Sequence, residues 1–332
     1  MNKNDIKRFI NLGFLDDENT YSIYGQKVVD KFLELVIKKL NEEGFNHYNQ
    51  DFIHLNLKGK YYRIIDNKLE VMISEININN DALDLQYLFS KILKEILGLA
   101  LIEGYKVNNN NNNNNNNYYY GYIYLNKIRR IYTVKQNSKK AYLQFDIDNI
   151  FYSIYEEDSY LSYKVLPMLT IIPLHQNKSG VLSYANKIKD HINFDTYIDD
   201  HSISPLEKKK NAINKRMPLI IYVGPKEYKN KLVTIELNEN KYQIKYEEIN
   251  SIDNYLSISL NIKYNNMLKK IYLFEKEVKV IDELSKIVKV NICPTCKIEK
   301  YKYFLTPFNR VSKINKCIVC NENINNIVLL KK

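Results

Sequence analysis

The stretch from Cys293 to Cys320 holds every cysteine in the chain, as two Cys-x-x-Cys pairs, Cys293/Cys296 and Cys317/Cys320, with twenty residues between them. That is the spacing of a zinc ribbon, in which two tight knuckles close on one tetrahedral ion. Thiolates are soft ligands that suit zinc, and a short Tyr- and Lys-rich tail buries too little apolar area to fold unaided. Pro294 and Thr295 fit the first knuckle turn, and Ile318 and Val319 can seat the second on apolar neighbours. A pair of disulfides is the alternative in an oxidising compartment, and a redox pair the alternative in a strand-to-helix setting. Four thiolates leave no open coordination position, so the expected Zn2+ is structural rather than catalytic.

A second group of residues has the chemistry to grip a polyanion. Lys208, Lys209, Lys210, Lys215 and Arg216 fall on or just after one short helical stretch, with Asp199, Asp200 and His201 just before it. Such cations can neutralise phosphates, and Tyr197 and Tyr228 offer rings on which splayed bases stack. The plainer reading is a solvated lysine-rich helix face. Asp146 and Asp148 alternate on an expected strand and would share a face, but no phosphate or metal motif stands beside them. His175 and the other histidines lack ligand spacing, and no nucleophile, base and orienter fall at readable positions.

These residues sit in a chain of 332 residues, long enough for two ordinary domains and a small appendix. Lys and Arg number 49 against 38 Asp and Glu, a net charge of +11 that favours polyanionic partners. Part of that excess follows from a sequence rich in Asn, Lys, Ile and Tyr. No apolar run reaches the ~20 residues a membrane span needs. The opening MNKNDIKRFINLGFLDDENT is too polar and acidic for a signal peptide, so a cytoplasmic or organellar protein without a membrane partner is expected.

The elements that must position these groups can be read in order. Val28, Phe32, Val36 and Leu40, with Val29 and Leu33 beside them, make one stripe of a helix that Gly44 closes. Asp81 can cap a second helix whose buried face is Leu85, Leu88, Phe89, Ile92, Leu93 and Ile96. Between them, YYRIIDNKLEVMISEI reads as two strands with a turn at Asp66-Asn67. The asparagine tract Asn108–Asn117 reads as a solvated loop insertion. After it, GYIYLNKI, RIYTVKQ and AYLQFDIDNIFYSIY read as strands, so residues 1–163 are expected to pack helices on a largely antiparallel sheet. From Leu166-Pro167 the rhythm becomes strand-helix-strand-helix-strand, followed by the strands KLVTIEL and KYQIKYEE. That pattern expects an α/β unit with parallel strands over 164–250. A long amphipathic helix, from about Ile252 to Phe274, leads into the cysteine tail of the third unit, 251–332.

From Pro167 onward the chain carries Ile171-Ile172-Pro173, Asp199-Asp200, Ser204-Pro205, Met217-Pro218 and Val223-Gly224-Pro225-Lys226. In order and spacing these resemble class II aminoacyl-tRNA synthetases, and within them prolyl-tRNA synthetase of the eukaryote/archaeal-like type. Lys316-Cys317-Ile318-Val319-Cys320 is similar to the last knuckle of that family's C-terminal zinc-binding domain, whereas the first knuckle departs in spacing. YGQKVVDKFLELVIKKLNEEGF is similar to the long helix of the first class II motif, and LFSKILKEILGLALIEGYK to the stretch before the amino-acid-recognition loop.

The resemblance implies a fold of three parts: a reduced class II synthetase-like antiparallel sheet with helices, an anticodon-binding-type mixed sheet with helices, and a small C-terminal zinc-ribbon-like domain. It implies that the lysine-bearing helix approaches an anticodon stem-loop, and that the helix near 24–44 can serve a homodimer. The family's catalysis needs an arginine in an RxE-like motif and a Gly-x-Gly-x-x-Arg strand-helix that clamps nucleotide phosphates. No Gly-x-Gly occurs in this chain, and neither the TxE nor the Thr/His/Gly-rich recognition loop is found. The expectation is therefore a catalytically inactive, prolyl-tRNA-synthetase-like protein that binds tRNA or another structured RNA, or serves a synthetase or other assembly as an accessory subunit. An active proline–tRNA ligase with diverged motifs, which would use ATP, is the first alternative. A protein-interaction scaffold without RNA is the second.

Overall fold

The computed structural model describes residues 3–16, 20–50, 52, 58–65, 68–74, 81–108, 116–124, 128–137, 140–156, 161–166, 168–237, 240–277, 288–291, 302–305, 315–316, 323–324 and 327–331. Contacts within the chain divide it into two compact units. One comprises Met1–Leu35, Ile96–Gly98 and Asp158–Lys263; the other comprises Val36–Glu95, Leu99–Glu157 and Tyr264–Lys332.

The second unit is built on a ten-stranded sheet. Its N-terminal strands are β1 (Asn46–His47), β2 (Gly59–Ile65) and β3 (Lys68–Ser74). Then come β4 (Leu101–Asn108), β5 (Asn116–Tyr124), β6 (Ile128–Gln136) and β7 (Lys140–Asp146). The spatial order starts β1-β2-β3-β7-β6-β5-β4, antiparallel throughout except for the parallel β1–β2 pair. Three C-terminal strands continue it: Lys302–Leu305 pairs with β4, Ile327–Lys331 with that strand, and Val288–Asn291 lies outermost. Cys293, Cys296, Cys317 and Cys320 of the expected zinc-ribbon-like module lie outside the described residues. The asparagine tract joins β4 to β5, with Asn108 opposite Asn116 and residues 109–115 outside the described set, as are Asp66 and Asn67.

In chain order the first helices are α1 (Lys3–Asn11), α2 (Ile23–Glu42) and α3 (Asp81–Leu97); α1 and the part of α2 up to Leu35 belong to the other unit, while α3 as far as Glu95 belongs to this one. The stripe read on α2 is buried, with Val28, Val29, Phe32, Val36 and Leu40 at 0–1 % exposure. It is covered by its own chain, so a homodimer through α2 would have to use the helix's polar side. On α3, Phe89 packs 5.0 Å from Phe145 and 6.3 Å from Tyr132. Gly121 makes room for Tyr132, whose ring carbon would lie 2.2 Å from any Cβ placed there. The register of β5 on β6 shifts beside that glycine.

One expected strand is corrected. AYLQFDIDNIFYSIY is strand β7 only as far as Asp146 and then helix α4 (Ile147–Glu156). From Ile147 the buried apolar positions are 147, 150, 151, 154 and 155, which is helical rather than alternating spacing. Asp146 closes the strand by accepting the Asn149 backbone N–H at 3.0 Å, an N-cap bond. Asp146 and Asp148 therefore do not share a strand face.

The other unit centres on a five-stranded sheet ordered β12-β11-β10-β8-β9. Its parts are β8 (Met168–Pro173), α5 (Val181–His191), β9 (Asp195–Ile198), α6 (Pro205–Asn214), β10 (Ile220–Val223) and α7 (Pro225–Asn230). They are followed by β11 (Leu232–Leu237) and β12 (Asn240–Lys245). β8 pairs parallel with both β9 and central β10, and β11 pairs antiparallel with β10 and with β12, making the sheet mixed. Leu169, Ile171, Val181, Ile188, Ile221 and Val233 are at 0 % exposure in one core between sheet and helices. Helix α8 (Ile252–Glu277) starts against that core through Ile252 and Leu256.

Candidate nucleic-acid interface

The lysine-bearing helix begins where the sequence Ser-Pro-Leu-Glu dictates. Ser204 Oγ accepts the Glu207 backbone N–H at 3.2 Å, Glu207 Oε2 accepts the Ser204 N–H at 3.0 Å, and Pro205 occupies the first turn. The Ser204 hydroxyl also donates to Glu207 Oε2 at 2.8 Å, and this bond, with the one from the Ser204 N–H, holds the Glu207 carboxyl below its ordinary value. At the other end, the Met217 N–H bonds to the Ala212 carbonyl and the Arg216 N–H to that of Ile213. This is a Schellman closure with Arg216 at φ 55°, the left-handed position usually given to glycine.

With both ends fixed, the five cations face different ways. Lys208 is 3 % exposed; its ammonium donates to the Asp199 carbonyl at 2.7 Å and to Gln176 Oε1 at 3.2 Å. Gln176 in turn donates to the Asp200 carbonyl at 2.9 Å, so the loops after β8 and β9 are stitched together through this lysine. Arg216 is 2 % exposed and donates to the Ile213 carbonyl at 3.1 Å. Lys209 reaches back to buried Glu236 at 2.5 Å, and Tyr222 donates to the same carboxylate at 2.8 Å. Lys208 and Arg216 are thus braces, which sequence spacing alone could not separate from phosphate contacts. Lys210 and Lys215 point to solvent.

Lys215 and Tyr197 come together, the ammonium lying 5.7 Å from the ring centroid. Tyr197 is 40 % exposed, and its hydroxyl is 3.1 Å from His201 Nδ1. The same Nδ1 is 2.9 Å from Asp199 Oδ1, a carboxylate almost wholly buried. Burial and then the neighbouring Asp199 and Asp200 raise the Tyr197 phenol above its ordinary value. These groups line a cleft of about 400 Å³, shared with Ile203, Asn211 and Asn214 and walled by Asn11, Leu12 and Gly13. The wall was invisible in sequence, since nothing local couples residue 12 to residue 201. Tyr24 anchors the same side through its hydroxyl on the Lys215 carbonyl. Tyr228, 47 % exposed, stands elsewhere, laid against Gly180 and 5.7 Å from Tyr184. Gly180, at φ +86°, admits that ring only because it has no Cβ.

In the antiparallel sheet, β7 passes into α4 with no intervening residue. The residues across that junction are Asp146-Ile147-Asp148-Asn149-Ile150-Phe151, and Phe151 is fully buried. Nearby on β2 and β3, Arg63 Nε and Nη2 both meet Glu70 Oε2 at 2.6 Å, while Nη1 donates to the Gln50 carbonyl at 3.0 Å. Burial alone would raise the Glu70 carboxyl. Hydrogen bonds from Tyr142 and Gln144, with Arg63, outweigh it and hold the group below its ordinary value. The Arg63 guanidinium also covers the Phe52 ring at 4.9 Å.

Comparison with known proteins agrees with this architecture. Residues 169–253 match the family model described as Anticodon binding domain. Over 187 residues the chain is 25% identical to Proline–tRNA ligase 2 of Bacillus cereus, a match covering 50% of this chain and 39% of that protein. The chain thus spans about two fifths of the length of this curated relative. The crystal structure of prolyl-tRNA synthetase from Cryptosporidium parvum, complexed with L-proline and AMP, superposes with a TM-score of 0.73 at 13% identity. That superposition covers 99% of this chain and 94% of the other. The antiparallel sheet, the mixed sheet and the anticodon-binding module together define a class II synthetase-like chain. Within that class it is prolyl-tRNA-synthetase-like.

Proposed function

We propose that this chain binds tRNA or another structured RNA through its α/β unit without activating an amino acid, acting alone or as an accessory subunit of a synthetase or similar assembly. The observation that carries the reading is the β7–α4 junction. It is a strand running straight into a helix, the setting in which the resembling family places Gly-x-Gly-x-x-Arg. The six residues at this junction are Asp146-Ile147-Asp148-Asn149-Ile150-Phe151, with neither glycine nor arginine among them. A helix N-terminus attracts phosphate through its open N–H groups. Two carboxylates at this one oppose an anion, Asp146 already occupies the Asn149 N–H, and Phe151 carries no charge. The engagement of Arg63 with Glu70 supports the same conclusion, since that guanidinium is committed to an internal pair. Omitting such phosphate contacts costs several kcal/mol of transition-state stabilisation.

The RNA side of the reading rests on the match of residues 169–253 and on Lys210, Lys215 and Tyr197 facing solvent together. The four cysteines add a structural zinc to the proposal, on the chemistry of the donor set: two Cys-x-x-Cys pairs supply four soft thiolates for one tetrahedral ion. Proline-stimulated ATP–pyrophosphate exchange by the purified chain is the decisive assay. No exchange above background is expected; robust exchange would establish an active ligase instead. A gel shift with tRNA at two salt concentrations tests the binding half. A salt-sensitive shift is expected, and its absence would favour the scaffold reading.

A further inference from the structure

The antiparallel sheet has a second face that the α/β reading does not use. α3 covers one side through Phe89 on Tyr132 and Phe145. Strand alternation sends the intervening residues to the other side. The register sets Arg63, Glu70, Gln144, Thr133 and Tyr120 in one row across five strands. Beside it lie Tyr61, Met72, Tyr142, Lys135 and Tyr118. The two rows mix aromatic, cationic and amide groups, unlike the apolar face beneath α3.

The two ends of this face differ. Over β2, β3 and β7 it is roofed: Phe52 lies 6.1 Å from Tyr142, Tyr48 lies 5.6 Å from Tyr61, and Glu70 is neutralised by Arg63. Over β5 and β6 it is open, with Tyr118 and Tyr120 half-buried and Lys135 and Arg130 exposed. Arg130 lies 5.7 Å from the Tyr120 centroid, and Tyr120 lies 6.1 Å from Tyr122. Among the described residues, the exposed charged groups on this open half are the cations Arg130 and Lys135, set beside rings on adjacent strands. Partly exposed rings rising from a rigid sheet among cations suit stacked bases with phosphates alongside.

We infer that the open half of this face binds a single-stranded RNA segment, with bases stacked on Tyr118 and Tyr120 and phosphates met by Arg130 and Lys135. This surface is distinct from the α/β unit's cleft and stands or falls independently of it. The test is fluorescence anisotropy of a labelled uridine decamer with the full chain. Tyr118→Leu/Tyr120→Leu should weaken binding at least about tenfold, since each stacked base is worth that order. Tyr118→Phe/Tyr120→Phe should stay within about twofold, because the rings remain. Arg130→Gln, on an exposed side chain, should weaken binding and flatten its salt dependence, and it keeps the test open if the leucine variant fails to fold. Loss of decamer binding in Lys210→Ala/Lys215→Ala, with the tyrosine and Arg130 variants unchanged, would place the strand on the α/β unit and overturn the inference. So would an absence of decamer binding by the wild-type chain. Failure of tRNA binding with decamer binding intact would instead sink only the reading of the α/β unit.

Discussion

Five cations crowd one short helix, yet only Lys210 and Lys215 face solvent, and replacing them should separate binding from bracing. If each meets one phosphate, Lys210→Ala/Lys215→Ala lowers the slope of log K against log salt by about 1.4 to 1.8. Across a fourfold rise in salt, the ratio of wild-type to variant affinity then shrinks by about tenfold, a difference filter binding resolves. Lys208→Met should behave otherwise. It leaves the Asp199 carbonyl and Gln176 Oε1 without their donor, at 2.7 and 3.2 Å in the native fold. The cost should be about 1–3 kcal/mol of stability in urea unfolding, with the salt slope unchanged. A double alanine variant with the wild-type slope, or a Lys208→Met variant with a reduced slope and full stability, would refute this sorting of the cations.

Further outcomes follow from the same geometry. Glu70→Gln should destabilise the fold by about 3 kcal/mol at neutral pH, because it strands a mostly buried Arg63 guanidinium. Glu70 titrates below its ordinary 4.5 in the fold, so its contribution is present above pH 4.5 and is lost as pH falls through the depressed value. Acid-unfolding curves of Glu70→Gln should accordingly be flatter in that window than wild type. Gly180→Ala combines a left-handed backbone at φ +86° with a Cβ 2.4 Å from the Tyr228 ring, and should lower the melting temperature through a loss of about 1–3 kcal/mol. Metal analysis of the purified chain should find one zinc per chain, and Cys317→Ser should abolish it; a metal-free protein with four reduced thiols would remove the zinc from the proposal.

Local spacing in the sequence was enough to mark α2, α3, α5 and α6, the strands around them and the order of the α/β unit. Each of those features depends on neighbours within a few positions: an apolar stripe, a Ser-Pro-x-Glu cap, a run of β-branched residues. The strand drawn through Ile147 was misread because an apolar run satisfies either period until its burial is known, and the Asp146 cap that decides it is a single side chain. Spacing also gathered Lys208, Lys209, Lys210, Lys215 and Arg216 as one group. Their fates diverge because Gln176, Asp199 and Glu236, brought near by sheet pairing, take Lys208 and Lys209 inward, while the helix's own closing turn buries Arg216. Likewise Arg63 meets Glu70, Tyr120 shares a row with Thr133 and Gln144, and Tyr118 shares the next row with Lys135 and Tyr142, only through strand register. A helix cap is settled over about four residues, but which charge is exposed and which is spent depends on partners tens of residues away.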